Sequence, residues 1–179
     1  MPEFMVPKLN VVNTAGGEIS YREAGSGNPL ILLHGINIHS GIWGYQFYKF
    51  ASSYRVIAWD APSYGKSKPR EGKVDVYAVA LAELLDVLNI EIVRIIGHSM
   101  GGIVSGAFIQ KFSDRVHAVV LSCTHTGAAL PEKEPLAERY QTRIKERAQL
   151  EPIEYGRMQA EKMTTNEASC ELKEKIASV

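Results

Sequence analysis

The stretch IIGHSMGG, residues 95–102, sets one serine inside a G-x-S-x-G running from Gly97 to Gly101. The apolar run IVRIIGH leads straight into it from Ile92, and MGGIVSGAFIQKF follows with a helical pattern despite three glycines. A serine at a sharp strand-to-helix turn has its hydroxyl exposed at the strand end, which is the setting of a nucleophile. The turn leaves no room for side chains that clash across it, so Gly97 and Gly101 have a physical reason. Gly102 and Gly106 are expected to let the helix pack closely on the sheet. The helix start also directs free N–H groups and a positive dipole end at the serine. A glycine-rich turn with an incidental serine is the competing reading, and the flanking strand and helix weigh against it.

Outward from Ser99, short apolar runs alternate with amphipathic stretches up to about Cys123, the sign of α/β folding. LNVVN (Leu9–Asn13) and EISYREAG (Glu18–Gly25) meet at AGG and predict a hairpin. PLILLHG (Pro29–Gly35), YRVIAWD (Tyr54–Asp60), IVRIIGH and VHAVVLSC (Val116–Cys123) are continuous rather than alternating. Such runs predict a mostly parallel sheet with helices on both faces. VDVYAVALAELLDVLNI predicts a helix with Val76, Val79, Ala80, Leu84, Val87 and Leu88 on one face and Asp75 as its cap. From about Thr124 the character changes. Pro131 to Val179 is charged and helical, and TTNE (Thr164–Glu167) fits a capping box for a last helix toward Ile176. The expected division is a core over 1–128, through the strand ending near Cys123, and an incomplete helical segment over 129–179.

The 179 residues suffice for one domain with a sizeable core, and 45% hydrophobic with 22% charged residues is an ordinary globular balance. Lys+Arg and Asp+Glu are equal at 20 each, so no global field favours nucleic acid or an anionic membrane as partner. No apolar run approaches the roughly 18 residues that span a bilayer. No basic stretch followed by an apolar one marks a signal peptide. Cys123 and Cys170 form neither CxxC nor zinc-type spacing and read as reduced thiols of a cytoplasmic protein. MPEF, ahead of a second methionine at Met5, reads as an appended tetrapeptide before the natural start.

Leu33-His34-Gly35-Ile36 ends the strand expected beside that of Ser99. The oxyanion of an acyl transfer needs two preorganised N–H donors. Met100, directly after the serine, and Ile36, in the loop after His34-Gly35, are the candidates. Asp60-Ala61-Pro62-Ser63-Tyr64-Gly65-Lys66-Ser67 follows the YRVIAW strand. A phosphate-loop reading of its Gly65-Lys66-Ser67 fails, because Asp60 stands where the leading glycine belongs. A dinucleotide-binding G-x-G-x-x-G fails at Ser99.

Taken together, His34-Gly35, the D-x-P-x-x-G-x-S run from Asp60 to Ser67 and GHSMGG resemble the α/β-hydrolase superfamily in order and approximate spacing. The resemblance covers Leu9 to about Cys123 and extends only loosely into the helical segment. It implies Ser99 as nucleophile, flanked by the motif residues Gly97, His98 and Gly101. It implies an oxyanion hole from the Ile36 and Met100 N–H groups beside His34 and Gly35, and a cap that begins in the helical segment. The activity implied is hydrolysis of a small carboxylic ester or lactone, as in small esterases and enol-lactonase-type enzymes. No metal or organic cofactor is implied.

The resemblance also implies an acid and then a histidine, each after a later strand, in the order Ser…Asp/Glu…His. No such strands follow here, and the five histidines are His34, His39, His98, His117 and His125. His34 suits a structural hydrogen bond, His39 lies in the same loop, His98 is expected to pack behind the turn, and His117 to face the core or a helix. His125 is the best-placed base, beyond a strand beside Ser99, but lacks an orienting carboxylate; Glu132 and Glu134 lie on the helical segment. Three readings stand: a truncated or split hydrolase, an inactive hydrolase-like binding or interaction protein, and an unusual catalyst using His125. The first is favoured, because the chain breaks off inside a cap-like segment. A sheet stopping at the Val116–Cys123 strand would expose an apolar edge, and this implies self-association or a complementing C-terminal segment. Trp43, Tyr45 and Tyr64 are open to two readings, an apolar pocket or ordinary packing.

Overall fold

The computed structural model of the chain describes residues 4–125 and 138–177. The expected boundary at 128/129 and the carboxylates Glu132 and Glu134 lie outside them. Strand β1 (Leu9–Thr14) pairs antiparallel with β2 (Gly17–Ala24), Thr14 opposite Gly17, so Ala15 and Gly16 make the tight turn that AGG predicted. The hairpin is pinned from below. Arg70 and Thr14 both hydrogen-bond Glu83, as does the Gly16 N–H. Burial alone would raise the Glu83 carboxyl, but these donors hold it below the ordinary carboxylate range.

Four parallel strands follow: β3 (Pro29–Leu33), β4 (Arg55–Trp59), β5 (Val93–His98) and β6 (Val116–Ser122). With the hairpin they form a sheet in the order β1-β2-β4-β3-β5-β6, in which only β1–β2 and β2–β4 are antiparallel. The fold is thus α/β and mostly parallel, as expected. Successive residues of the central strands serve opposite faces. Ile31, Leu33, Ile57 and Trp59 share one core with Leu81, Leu84 and Leu85 of helix α2 (Val74–Val87) and Val104 and Phe108 of helix α3 (Met100–Lys111). Leu30, Leu32, Val56 and Ala58 share the other with Trp43 and Phe47, the latter in helix α1 (Gly44–Phe50). Coverage of both faces is what lets these runs stay apolar throughout.

Four expectations differ from the structure. On α2 the buried residues are Ala78, Ala80, Leu81, Ala82, Leu84 and Leu85, with Leu88 buried at its end; Ala80, Leu84 and Leu88 are buried as expected, while Val79 and Val87 are exposed and Val76 is half-buried. The helix is apolar almost all round, so more than one face fits a 3.6-residue period. Asp75 sits in its first turn rather than at the cap, which is Lys73. Strand β6 is not covered on both faces: it is the edge strand, and Val119, Val120 and Leu121 are 36%, 56% and 53% exposed. His117 on β6 is exposed for the same reason, rather than facing a core.

The chain divides into two compact units, Met1–Gly127 and Ala128–Val179. The second holds α4 (Glu138–Gln149), α5 (Pro152–Met163) and α6 (Cys170–Ala177). Its capping box lies at Glu151 and Glu154, where Pro152 starts α5. TTNE does not cap the last helix: Thr164 closes α5 by donating to the Ala160 carbonyl, and α6 begins only at Cys170. Buried Tyr155 and Ala160 anchor α5. Ion pairs Arg157–Glu174 and Lys173–Glu161 tie it to α6, and Lys162–Glu146 ties it to α4. Among the described residues, no helix is long and apolar enough to cross a membrane.

Candidate active site

Ser99 links β5 to α3 with φ 52 and ψ −115, a left-handed backbone that a non-glycine residue adopts at a cost of about 1–3 kcal/mol. Its surroundings hold it there. The Ser99 N–H donates to Ser122 O at 2.9 Å, and Thr124 Oγ1 donates to Ser99 O at 2.7 Å, so the end of β6 grips the turn from one side. A Cβ on Gly97 would lie 2.4 Å from Ser105 Oγ, and one on Gly101 would lie 2.1 Å from the Leu33 carbonyl oxygen. Both glycines are therefore required by close approach, as the motif implied. Gly102 packs against Thr124, but Gly106 faces open space and plays no part in helix-to-sheet packing, contrary to expectation.

The loop after β3 comes directly against the serine. The Cβ position of Gly35 lies 3.2 Å from Ser99 Cβ and 3.1 Å from His98 Cδ2, so Gly35 lies between the serine and the His98 ring. Met100 is the first residue of α3, and its N–H has no helical carbonyl to bond. Its sulfur accepts a contact from the Tyr64 hydroxyl at 3.7 Å. Ile36 follows Gly35 on the surface at 46% exposure.

His34 is fully buried and committed. Its Nε2 accepts the Ala61 N–H at 3.0 Å, which leaves the proton on Nδ1 to donate to Gly35 O at 2.7 Å. Burial pushes its pKa down to about 4, against smaller raising effects of Gly35 and Asp60. The structural hydrogen-bonding role expected of it is what the structure contains, and neither ring nitrogen is left for Ser99. His39 caps the short 3-10 turn Ser40–Trp43, its Nδ1 accepting the Gly41 N–H at 3.0 Å, and burial lowers its pKa too. His98 is half-buried, and His125 is exposed beyond β6. Of the three aromatics, Trp43 packs in the core, Tyr45 is exposed against Phe4, and Tyr64 meets the His34 ring edge-on at 4.7 Å.

Sequence reasoning missed the residues that brace this arrangement, Thr124, Ser20 and the side chain of Asp60. In the sequence Asp60 is only the first letter of the D-x-P-x-x-G-x-S run. Its partner Ser20 lies in β2, and the two meet only because β2 pairs with β4.

A family model described as alpha/beta hydrolase fold matches residues 28–149. The chain belongs to the α/β-hydrolase fold family. Among curated relatives of this hydrolase-fold chain, an uncharacterized protein of Mycobacterium tuberculosis is 39% identical over 117 residues, 64% of this chain and 34% of that protein. The 2-hydroxy-6-oxononadienedioate/2-hydroxy-6-oxononatrienedioate hydrolase 2 of Pseudomonas putida is 35% identical over 123 residues, 64% of this chain and 43% of that enzyme. Among solved structures, a thermophilic esterase from Thermogutta terrifontis superposes with a TM-score of 0.75 at 28% identity, covering 96% of this chain and 65% of the esterase. The chain thus spans about a third to somewhat under half of these curated relatives and about two thirds of the esterase.

Proposed function

We propose that this chain carries the nucleophile half of a serine hydrolase that cleaves a small carboxylic ester or lactone. The observation that carries this reading is the Ser99 backbone, at φ 52 and ψ −115, at the head of α3 with Gly35 against its Cβ. Ser99 Oγ attacks the carbonyl carbon, and the oxyanion accepts hydrogen bonds from the Met100 and Ile36 N–H groups. The carbonyl re-forms as the bond to the alkoxy oxygen breaks, and the alcohol leaves carrying the serine proton. Water then cleaves the acyl-enzyme to the acid and restores Ser99; with a lactone, alcohol and acid stay on one molecule. As written, the reaction needs no metal or organic cofactor. The hydrolase and esterase names of the relatives support the reaction class.

The base for Ser99, and the carboxylate that orients it, come from outside these residues. The engaged rings of His34 and His39 support this, as does the lack of a carboxylate adjacent to His125 in the sequence. A fluorophosphonate probe tests the reading. Labelling is expected at Ser99, by mass mapping, in this chain or in a form extended at its C-terminus, and is expected to vanish in Ser99→Ala. Labelling that survives Ser99→Ala in the form that reacts would sink it.

The outer edge of β6, which among the described residues has no neighbouring strand, pairs with a further strand, from a complementing C-terminal segment or from a second copy. Exposed Val119, Val120 and Leu121, with no lysine or proline on the strand, support this. Sedimentation velocity of the isolated chain is expected to show concentration-dependent association that Val120→Lys weakens. A sharp monomer boundary at all concentrations is the contrary outcome. Free, exposed Cys123 and Cys170 support a cytoplasmic setting.

A further inference from the structure

We infer that Asp60 is the positioning residue of the loop that brings the Ile36 N–H to Ser99, an inference that rests on the reading of Ser99 given above. The loop runs from His34 to Ser40, and both of its ends are tied to one dipeptide at the end of β4. At its start His34 Nε2 accepts the Ala61 N–H at 3.0 Å; at its end the Ser40 N–H donates to Asp60 Oδ1 at 2.7 Å. Ile36 and the left-handed Asn37, at φ 64, lie between these ties.

Asp60 is itself held at every polar atom. Its N–H donates to Ser20 O at 2.8 Å, its carbonyl accepts Ser67 Oγ at 2.6 Å, and Oδ2 accepts Ser20 Oγ at 2.5 Å. Ser20 Oγ in turn accepts the Lys66 N–H at 3.0 Å, and the Ser20 N–H donates to Ser67 Oγ at 2.9 Å. Gly65 lies so close that a Cβ there would stand 2.2 Å from Oδ2. The carboxyl group therefore has one position and one direction.

Asp60 is 1% exposed, and no ion pair among the described residues includes it. A buried carboxylate without a cation is costly, and is retained where its acceptor atoms serve a purpose. Here each oxygen takes one strong donor, a hydroxyl on the sheet side and the loop's terminal N–H on the other. The loop inherits the rigidity of β2 and β4, as an oxyanion donor requires, since a displaced donor stabilises no transition state.

The test compares wild type with Asp60→Ala and Asp60→Asn. Asparagine keeps an acceptor for the Ser40 N–H, and alanine does not. Two readouts are taken: amide hydrogen exchange by segment, and the rate of fluorophosphonate labelling at Ser99 in the form of the chain that labels. In Asp60→Ala, exchange over residues 35–41 is expected to quicken at least about tenfold while β3 and β5 stay protected. Labelling is expected to slow by about tenfold or more, and Asp60→Asn to recover most of both losses. A folded Asp60→Ala protein with wild-type loop exchange overturns the inference, as does an asparagine variant no better than alanine. Should Asp60→Ala not fold, Ser20→Ala removes the Oδ2 donor, together with the acceptor of the Lys66 N–H, and leaves the Ser40 tie to Oδ1 in place; intermediate loop exchange there supports the inference, and wild-type exchange overturns it. If Ser99 never labels in wild type, the hydrolase reading fails, while loop exchange still decides the role of Asp60.

Discussion

Alanine at Gly101 is expected to cost about 3–5 kcal/mol of stability, whereas alanine at Gly106, further along the same helix, is expected to gain up to about 1 kcal/mol. The chemical change is the same and the surroundings are not. At Gly101 the new methyl group would stand 2.1 Å from Leu33 O and 2.6 Å from Leu33 C, backbone atoms of a strand paired on both sides. Neither partner can yield locally. Leu33 is fixed in the centre of the sheet, and the head of α3 is fixed by the hydrogen bonds of Ser99 to Ser122 and Thr124. Relief requires lifting α3 away from the sheet, which uncovers Val104 and Phe108, now 1% and 0% exposed. Gly106 has nothing within 4 Å of its Cβ position, so only the helix propensity of alanine over glycine counts. Urea midpoints at equal slope check this directly. Similar midpoints for the two variants would show that the elbow does not depend on close approach at Gly101.

That contrast also marks how far the sequence alone could be read. The elbow was legible because its demands are local: a strand, a tight turn and a helix are contiguous, and glycines at Gly97 and Gly101 follow from them. The hairpin and the parallel core were legible for the same reason, since AGG and the runs through β3 and β4 are short-range signals. The edge position of β6 was legible only indirectly, from the lack of a later strand-like run. VHAVVLS itself reads like a central strand, and among the described residues the sheet order gives β6 a single neighbour. Direction on α2 was ambiguous because valines and leucines surround that helix. The Asp60–Ser20 contact was out of reach in principle, because it depends on the pairing of β2 with β4. His34 lay between these cases. A buried, bonded imidazole could be expected from its place beside Gly35, but its acceptor role toward Ala61 could not.

The role of His34 makes stability expected to fall by about 3 kcal/mol as pH is lowered from about 6.5 to about 4, with this one residue the largest source of the loss. In the folded protein the ring is neutral, because Nε2 must accept from Ala61 N–H. A proton placed there would set two donors face to face inside a buried site. The unfolded chain has no such constraint and takes up its proton near the ordinary histidine value of about 6.5. Between the two values the unfolded state binds the extra proton, so acid favours unfolding. The contribution is complete above about 6.5, is lost progressively below it, and changes no further below about 4, where the folded ring also protonates. His39, also lowered by burial, adds to the slope over the upper part of this window. Glu83, held below the ordinary carboxylate range, adds its own loss only at the acid end. Urea unfolding across this range, in wild type and in His34→Gln, isolates the His34 share. Glutamine can still accept from Ala61 but cannot titrate, so the variant is expected to be less stable at pH 7 and markedly flatter toward acid. Parallel pH curves for the two proteins would mean that His34 already titrates normally in the folded chain. Its Nε2 would then be free of Ala61, and the loop carrying Ile36 would have lost its anchor at the β3 end.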